Sequence, residues 1–249
     1  MKRLSIDAFT LKIIAIISMG VHHTLMVFWE VFPMWLHVPL YLTRGVTFPI
    51  MAFFATEGFR RTSSIKRYML RLLIFGALAQ FPYMMALGMQ TLNIIFTIMI
   101  GLASIELYER LYINAQRRGL FVFLYAIILI TSLFVVEGGF FGPLLILLFH
   151  VIKDERKRRT YPLIFWGAVM VLSNIATRVM LNTDTEASLD GIVQLEAQMA
   201  NYYVFAIGTF FIIPLLRAYN GNRGRKAKFL FYAFYPLHFA VLALVSWAV

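Results

Sequence analysis

The sequence predicts an all-α, polytopic transmembrane helix bundle of about nine spans, and three observations carry that prediction. Hydrophobic residues fill 61% of the 249 positions and charged residues only 14%, which leaves too little polar surface to cover a soluble globule. Several apolar runs approach the roughly 20 residues that a helix needs to cross the hydrocarbon core. None of them alternates as the strands of a transmembrane barrel do. We therefore treat residues 1–249 as one integral-membrane domain.

The spans follow from the apolar runs between charged loops, and about eight to ten fit the pattern. The sixth run is shorter than an ordinary span, so it is either a short buried helix or a re-entrant segment. The polar segment 181–200 is expected to be an amphipathic connector at the outer surface. The nine predicted spans are 9–30, 39–59, 67–88, 92–112, 119–136, 139–152, 160–181, 201–217 and 228–248.

The net charge of +11 predicts topology and not nucleic-acid binding, because the cations lie in short loops between spans. Basic loops such as 60–67, 153–159 and 217–228 alternate with loops that carry Glu30, Glu137 and the acidic residues of 184–196. By the positive-inside rule, the basic loops and the amino terminus face the cytoplasm and the carboxyl terminus lies outside. The expected location is the bacterial cytoplasmic (inner) membrane, with contacts to anionic lipid headgroups.

Several classes of chemistry have no support in this sequence. The chain has no cysteine, which excludes disulfides, iron–sulfur clusters, thiolate zinc sites and a cysteine acyl carrier. It also has no phosphate loop, dinucleotide fingerprint, zinc-binding helix motif or nucleophilic serine elbow. We expect no metal ion in the site.

Lys12 and His23 are the first candidates for a reactive site. They are eleven residues apart in the first span, close to three helical turns, so both point to one face at levels roughly 16 Å apart. Ionisable groups inside a span are costly in hydrocarbon and usually face a polar, functional interior. We expect Lys12 near the cytoplasmic surface and His23 about halfway across the membrane.

The same depth argument adds residues from other spans. His238 should lie near the level of His23, and Glu57 should return to the level of Lys12. Arg44 is expected near the outer end of the second span, and Asn174 and Arg178 share one face in the outer half of the seventh. The alternative is that the histidines are structural hydrogen-bonding groups and that Lys12 and Glu57 neutralise each other. His22, on a neighbouring face, is expected to be structural.

Four collinear runs make the sequence recognisable: LKIIAIISMGVHH from Leu11, RGVTFPIMAFFATEGFRRTSSIKRYMLRLL from Arg44, LNIIFTIMIGL from Leu92, and LFYAFYPLHFAVLALV near the carboxyl end. Together they resemble the TraX family of bacterial membrane proteins across nearly the whole chain. That family is implicated in N-terminal acetylation of pilin subunits, and it is similar to the membrane acyltransferases that modify bacterial polysaccharides. In those acyltransferases an arginine precedes a histidine in the first span with this spacing. Lys12 stands in place of the arginine, and Glu57 replaces the serine of a similar FFxxSGF turn.

The resemblance implies a cytoplasmic acyl-CoA donor, with acetyl-CoA expected, and an acceptor outside the membrane. The donor phosphates would meet a group of cations, and we assign Glu57 to the same donor-binding site. His23, with His238 as second catalytic candidate, would act as general base or covalent acyl relay. Arg44, Asn174 and Arg178 would lie towards the acceptor, a pilin-like amino terminus or an envelope glycan. The cation group comprises Lys12, Arg60, Arg61, Arg67 and Arg71.

Two readings from other classes stay open. The first is a proton-coupled transporter that uses the intramembrane ionisable residues as a relay; repeat halves with matched broken helices would favour it, and the sequence has none. The second is a non-catalytic protein that assembles or anchors an envelope structure, which would tolerate loss of the histidines.

Overall fold

The computed structural model describes residues 5–113, 115–181 and 189–248, and throughout these ranges the fold is helical without a strand. Short 3₁₀ segments lie at Trp29–Val31 and Ala115–Arg117, and a π-helical turn at Tyr108–Tyr112 extends the fifth helix. The α-helices are α1 (Ala8–Val27), α2 (Met34–Leu42), α3 (Arg44–Arg61), α4 (Ile65–Leu87), α5 (Ile94–Leu107), α6 (Arg118–Val135), α7 (Phe141–Val151), α8 (Glu155–Arg158), α9 (Tyr161–Leu181), α10 (Leu189–Arg217) and α11 (Lys228–Ala248).

Local sequence signals fix several helix ends. Asp7, Ser64 and Asn93 cap α1, α4 and α5, each accepting a backbone N–H of the first turn with its side-chain oxygen, which satisfies a donor that the helix cannot pair internally. The N–H of Thr10 lies 2.8 Å from the Asp7 carboxylate and lowers the pKa of that carboxyl group. Gly88 ends α4 at a φ of 65°, a backbone conformation that glycine adopts without a steric penalty.

The chain divides into two compact units, and α3 begins in one and ends in the other. The first unit comprises the described residues up to Ile50 together with Arg159–Asn222. In it α9 and α10 pack along each other. The segment before α1 pairs with the segment after α10, because the Ile6 N–H donates to the Ala218 carbonyl and the Asn220 N–H to the Ile6 carbonyl, both at 2.9 Å.

Two glycines bring helices of the first unit into backbone contact. A Cβ on Gly45 would lie 2.2 Å from the Phe205 carbonyl oxygen, and one on Gly208 would lie 2.2 Å from the Leu42 carbonyl oxygen. Thr209 donates its hydroxyl to the Gly45 carbonyl at 3.3 Å. Small residues at such crossings let membrane helices approach closely and gain dispersion contacts.

The second unit comprises Met51–Arg158 and the described residues from Arg223 onward. In this unit α4 packs along α11, and α5 packs along α7. Asn93, which is completely buried, donates its amide group to the Gly76 carbonyl at 2.8 Å and to Gln80 at 2.9 Å. These hydrogen bonds fix the start of α5 against α4.

The predicted all-α membrane fold is confirmed. Within the described residues, five helices are long and apolar enough to cross a membrane, and two shorter apolar helices accompany them. The sixth run forms one of the short ones, α7, which at 11 residues is roughly 16 Å long. The five long helices are Ala8–Val27, Trp35–Arg61, Ile65–Leu87, Ala115–Val135 and Phe229–Ala248.

Three boundaries differ from the sequence prediction. The second span divides at Thr43 into α2 and α3. The eighth starts at Leu189 instead of residue 201, so residues 189–200 continue α10 and do not form a separate connector; residues 182–188 lie outside the described part. The first span ends at Val27. Phe28 and Trp29 continue the apolar run, so the predicted span extends to residue 30. The backbone, however, leaves the α conformation at Phe28, and Pro33 comes soon after.

Candidate functional site

The turn between α3 and α4 in the second unit carries a polar pocket of about 290 Å³. That volume is at the lower end for ligand sites and suits a phosphate-bearing part of a ligand. Three arginines supply its positive charge, and three hydroxyl side chains supply hydrogen-bond donors. The lining residues are Arg61, Thr62, Ser63, Ser64, Arg67 and Arg71.

Local structure explains why these side chains converge. Ser64 caps α4 by accepting the Arg67 N–H at 3.3 Å, and Thr62 closes the turn by donating its hydroxyl to the Ser64 carbonyl at 3.2 Å. Arg67 and Arg71 are four residues apart and therefore share a face of α4. The amino end of a helix also carries partial positive charge. An anion at this turn would meet three guanidinium groups and a helix terminus together.

Arg71 is positioned by the aromatic ring of Tyr68, whose centroid lies 5.7 Å from the guanidinium carbon. Its Nε is buried and has no hydrogen-bond partner in the described part of the chain. A buried guanidinium donor without a partner is unfavourable, and a bound anion at this pocket is the kind of group that would satisfy it.

A network of ion pairs adjoins the pocket. Glu57 on α3 accepts one hydrogen bond from Arg61 and another from Arg158, each at 2.8 Å. Arg158 also donates to Glu155 at 2.8 Å. Arg60 donates to the His150 carbonyl at 2.9 Å. The network links α3 to α7 and α8 inside the second unit.

The six residues predicted to bind the donor thus occupy three kinds of place. Arg61, Arg67 and Arg71 line the pocket; Glu57 and Arg60 lie in the adjoining network and do not line it. Lys12 is a half-buried residue of α1 in the first unit. The donor-binding role of all six stays a prediction.

Arg158 is the residue that sequence reasoning missed. Its side chain is only 2% exposed, and its guanidinium lies over the Phe53 ring at 5.0 Å from the centroid. In the sequence it stands within the basic run 153–159 and resembles any cytoplasmic topology charge. The one available signal was Glu57, a carboxylate in an apolar run that requires a cation partner. The sequence offered Lys12 as that partner.

His23 lies on α1 in the first unit and is 7% exposed. His23 lies in the last third of α1, which ends one turn later at Val27. Its depth about halfway across the membrane stays a prediction. The His22 ring lies 5.4 Å from the His23 ring and 6.1 Å from the Tyr41 ring. Nδ1 of His22 is buried without a hydrogen-bond partner among the described residues.

The three residues expected on the acceptor side belong to the first unit. Arg44 is the first residue of α3, and its guanidinium carbon lies 5.6 Å from the centroid of the Phe205 ring. The long apolar helical run that contains it begins at Trp35. The position of Arg44 near the outer end of the second span stays a prediction. Asn174 and Arg178 are on α9; their side chains fall outside the described part of the structure.

His238 lies at the middle of α11 in the second unit. Its Nδ1 is 3.0 Å from the Phe234 carbonyl oxygen, and a carbonyl can only accept, so Nδ1 carries the proton and Nε2 is the basic nitrogen of the neutral ring. The ring stacks on Phe234 at 5.0 Å and meets Tyr235 edge-on at 5.5 Å. This geometry suits a base with a fixed tautomer and equally suits a structural histidine.

Metal ligands do not cluster in the described ranges, where no group of three or more histidine, aspartate or glutamate residues could hold an ion. The arginine and hydroxyl groups that line the pocket suit recognition of an anion.

Comparison with known proteins assigns this chain to a family. The model of the family described as "TraX protein" matches residues 8–246. The chain is also 26% identical over 258 residues to "Probable fimbrial assembly protein FimC, serogroup H1" of Dichelobacter nodosus, covering 97% of this chain and 96% of that protein. No solved structure matches. Because the family model spans nearly the entire chain, this membrane protein belongs to the TraX family.

Proposed function

We propose that this protein is an acyltransferase of the bacterial cytoplasmic (inner) membrane that moves an acyl group, acetyl in the first instance, from acyl-CoA to an acceptor outside the cytoplasm. The observation that carries the proposal is the pocket at the α3–α4 turn, where Arg61, Arg67 and Arg71 meet at a helix amino terminus. Coenzyme A carries a phosphate monoester and a diphosphate. Arginine binds phosphate oxygens through two parallel N–H groups and is the preferred residue for this task.

The positive-inside prediction places this turn in the cytoplasm, where acyl-CoA is made. The turn residues Arg61 and Arg67 are both exposed, so a donor arriving from water could reach them. Lys12, also predicted at the cytoplasmic side, is the further cation that we propose for the donor. As a point charge it would attract phosphate without the two-pronged geometry of arginine.

Transfer requires that the acceptor lose a proton as its nitrogen or oxygen attacks the thioester carbonyl. We propose that His23 accepts this proton or carries the acyl group briefly, with His238 as the second candidate. The carbon–sulfur bond of the thioester then breaks, and the CoA thiolate takes up a proton as it leaves.

The acceptor that we propose is the amino terminus of a pilin-like subunit, and an envelope glycan is the second choice. Support comes from the related Dichelobacter protein, whose name describes fimbrial assembly. The same name favours one further candidate function, a non-catalytic role in assembly. An acyltransferase consumes acyl-CoA, whereas a non-catalytic assembly protein does not.

A labelled acetyl-CoA assay tests the proposal. Wild-type protein in detergent or nanodiscs should transfer label to a pilin-like amino-terminal peptide, and Arg67→Ala with Arg71→Ala should raise the donor KM at least ~10-fold, since two phosphate contacts are lost. The matched control is Arg223→Ala with Arg225→Ala, an equal charge change at exposed positions of the second unit. Binding and turnover absent from folded wild type would leave the assembly role.

A further inference from the structure

Within the described part of the chain, Glu57 is linked to the pocket through Arg61. The carboxylate does not line the pocket, but Oε2 of Glu57 accepts a hydrogen bond from Nη2 of Arg61 at 2.8 Å, and Arg61 is a lining residue. The two residues are one helical turn apart on α3. On an exposed helix such a pair is loose, because both long side chains exchange freely with water.

Here the carboxylate end of the pair is fixed. Oε1 of Glu57 accepts from Nη1 of Arg158 at 2.8 Å, and Arg158 is almost completely buried beneath the Phe53 ring. The second Nη of Arg158 is held by Glu155, also at 2.8 Å. Glu57 is therefore anchored on its inner side, while the Arg61 side chain, 56% exposed, is the member that faces water.

We propose that Glu57 is a positioning residue which orders the Arg61 guanidinium at the rim of the pocket before a phosphate group arrives. The inference rests on the proposed function, since it assigns Glu57 a role in donor binding. An ordered arginine loses less side-chain entropy when it binds a phosphate. Glu57 is thus assigned to the donor site without any contact to the donor.

The negative charge of Glu57 opposes anion binding, so the two effects must be weighed. Arg158 lies as close to Glu57 as Arg61 does, and its charge offsets the field that the carboxylate would exert on the pocket. The pocket is also open to water, which screens what remains. Nothing offsets the ordering of Arg61 in this way. The gain in donor affinity from this ordering should therefore exceed the repulsion between the Glu57 charge and the anion.

The test compares two variants that change the charge equally. Glu57→Gln leaves one acceptor oxygen where Arg61 and Arg158 each need one, and it puts an NH₂ group against an arginine. This variant should bind acetyl-CoA roughly 5- to 10-fold more weakly. The affinity is measured by calorimetry on the full chain in detergent. Glu155→Gln also removes one negative charge, at a side chain that is 54% exposed, but keeps the Glu57–Arg61 pair. It should bind as wild type does or more tightly. Equal or tighter binding by Glu57→Gln would overturn the proposal.

Kinetics separates positioning from general damage. Glu57→Gln should raise the donor KM by that factor and leave turnover at saturating donor unchanged, whereas a misfolded site would lose both. If Glu57→Gln does not fold, Glu57→Gln with Arg158→Met removes both partners of the buried pair and should show the same weakening relative to wild type. Unchanged affinity between those two proteins would count against the role of Glu57.

Inorganic pyrophosphate is the second probe, and it separates this inference from the proposed function. Wild type that binds pyrophosphate at the pocket but not acetyl-CoA would defeat the acyltransferase proposal. The comparison of Glu57→Gln with Glu155→Gln, made with pyrophosphate, would still decide whether Glu57 positions Arg61. A wild-type protein that binds neither ligand overturns both.

Discussion

Arg158 and Glu57 form a buried ion pair, with Nη1 of the arginine 2.8 Å from Oε1 of the glutamate, across 101 positions of the chain. The pair satisfies a carboxylate that α3 carries into an apolar environment. It also connects α8, a helix of four residues, to the end of α3. A short polar helix with little apolar surface of its own is thereby held in place by charge.

Removing one member of this pair should be costly. Arg158→Ala leaves the Glu57 carboxylate short of its buried partner, so we expect a loss of about 3–5 kcal/mol in the free energy of unfolding, seen as a lower thermal midpoint in detergent. Lys157→Ala, one position earlier and exposed, is the control and should change the midpoint little. A midpoint for Arg158→Ala equal to that control would show that the pair contributes nothing.

The close helix crossing in the first unit gives a second prediction. Gly45→Ala would place a methyl group 2.2 Å from the Phe205 carbonyl oxygen and 2.7 Å from the Thr209 nitrogen, and backbone atoms cannot yield as side chains do. We expect a destabilisation of at least ~1–3 kcal/mol, the usual range for overpacking. Gly119→Ala on α6, where a Cβ meets nothing within 4 Å, should be neutral or slightly stabilising. Equal stability of the two variants would contradict this close contact.

The sequence predicts the helices and part of the candidate site. What it does not predict has physical reasons. Apolar runs predict helices well because a span must satisfy its own backbone hydrogen bonds. Arg67 and Arg71 could be grouped because their spacing puts them on one face of one helix. Arg158 could not be matched to Glu57, since nothing local encodes a contact between distant segments. The end of α1 was misplaced because Phe28 and Trp29 continue the apolar run whether or not they are helical.

Topology can be measured at the two ends of α4. Ser63, before the helix, and Gln90, after it, are both exposed, and the positive-inside rule puts Ser63 in the cytoplasm and Gln90 outside. In a chain without native thiols, an impermeant thiol reagent should label Gln90→Cys in intact spheroplasts and Ser63→Cys only after lysis. The reverse pattern would invert the assignment, and labelling of both in intact spheroplasts would mean that α4 does not cross.

Lys12 gives a prediction that depends on the kind of cation. Lys12→Ala should weaken acetyl-CoA binding through lost Coulomb attraction, whereas Lys12→Arg should retain or improve it, because a guanidinium can grip phosphate at two points. Calorimetry on the purified variants provides the measurement. If Lys12→Ala binds acetyl-CoA as wild type does, Lys12 has no part in the donor site.

The decisive prediction concerns His23 and its neighbour. If His23 is the general base or acyl relay, His23→Ala should fold and bind acetyl-CoA yet transfer the acyl group at least ~100-fold more slowly, the usual scale for loss of a positioned acid–base group. His22→Ala is the matched control, because His22 is the adjacent residue of α1 with the same 7% exposure. It should retain most of the activity, since the hypothesis assigns the proton transfer or acyl relay to His23 and only a structural role to His22.

Labelled acetyl-CoA, supplied to folded variants with a pilin-like peptide, distinguishes the possible assignments. Loss of transfer in His23→Ala alone assigns the chemistry to α1, and loss in His238→Ala alone assigns it to the Nε2 atom that the Phe234 carbonyl leaves basic. Equal losses in His22→Ala and His23→Ala, accompanied by lower thermal midpoints, would mean that both rings serve packing. Near-normal transfer by His23→Ala and His238→Ala would remove these two histidines from the mechanism, because an acyltransferase that relies on a positioned base cannot keep its rate without it.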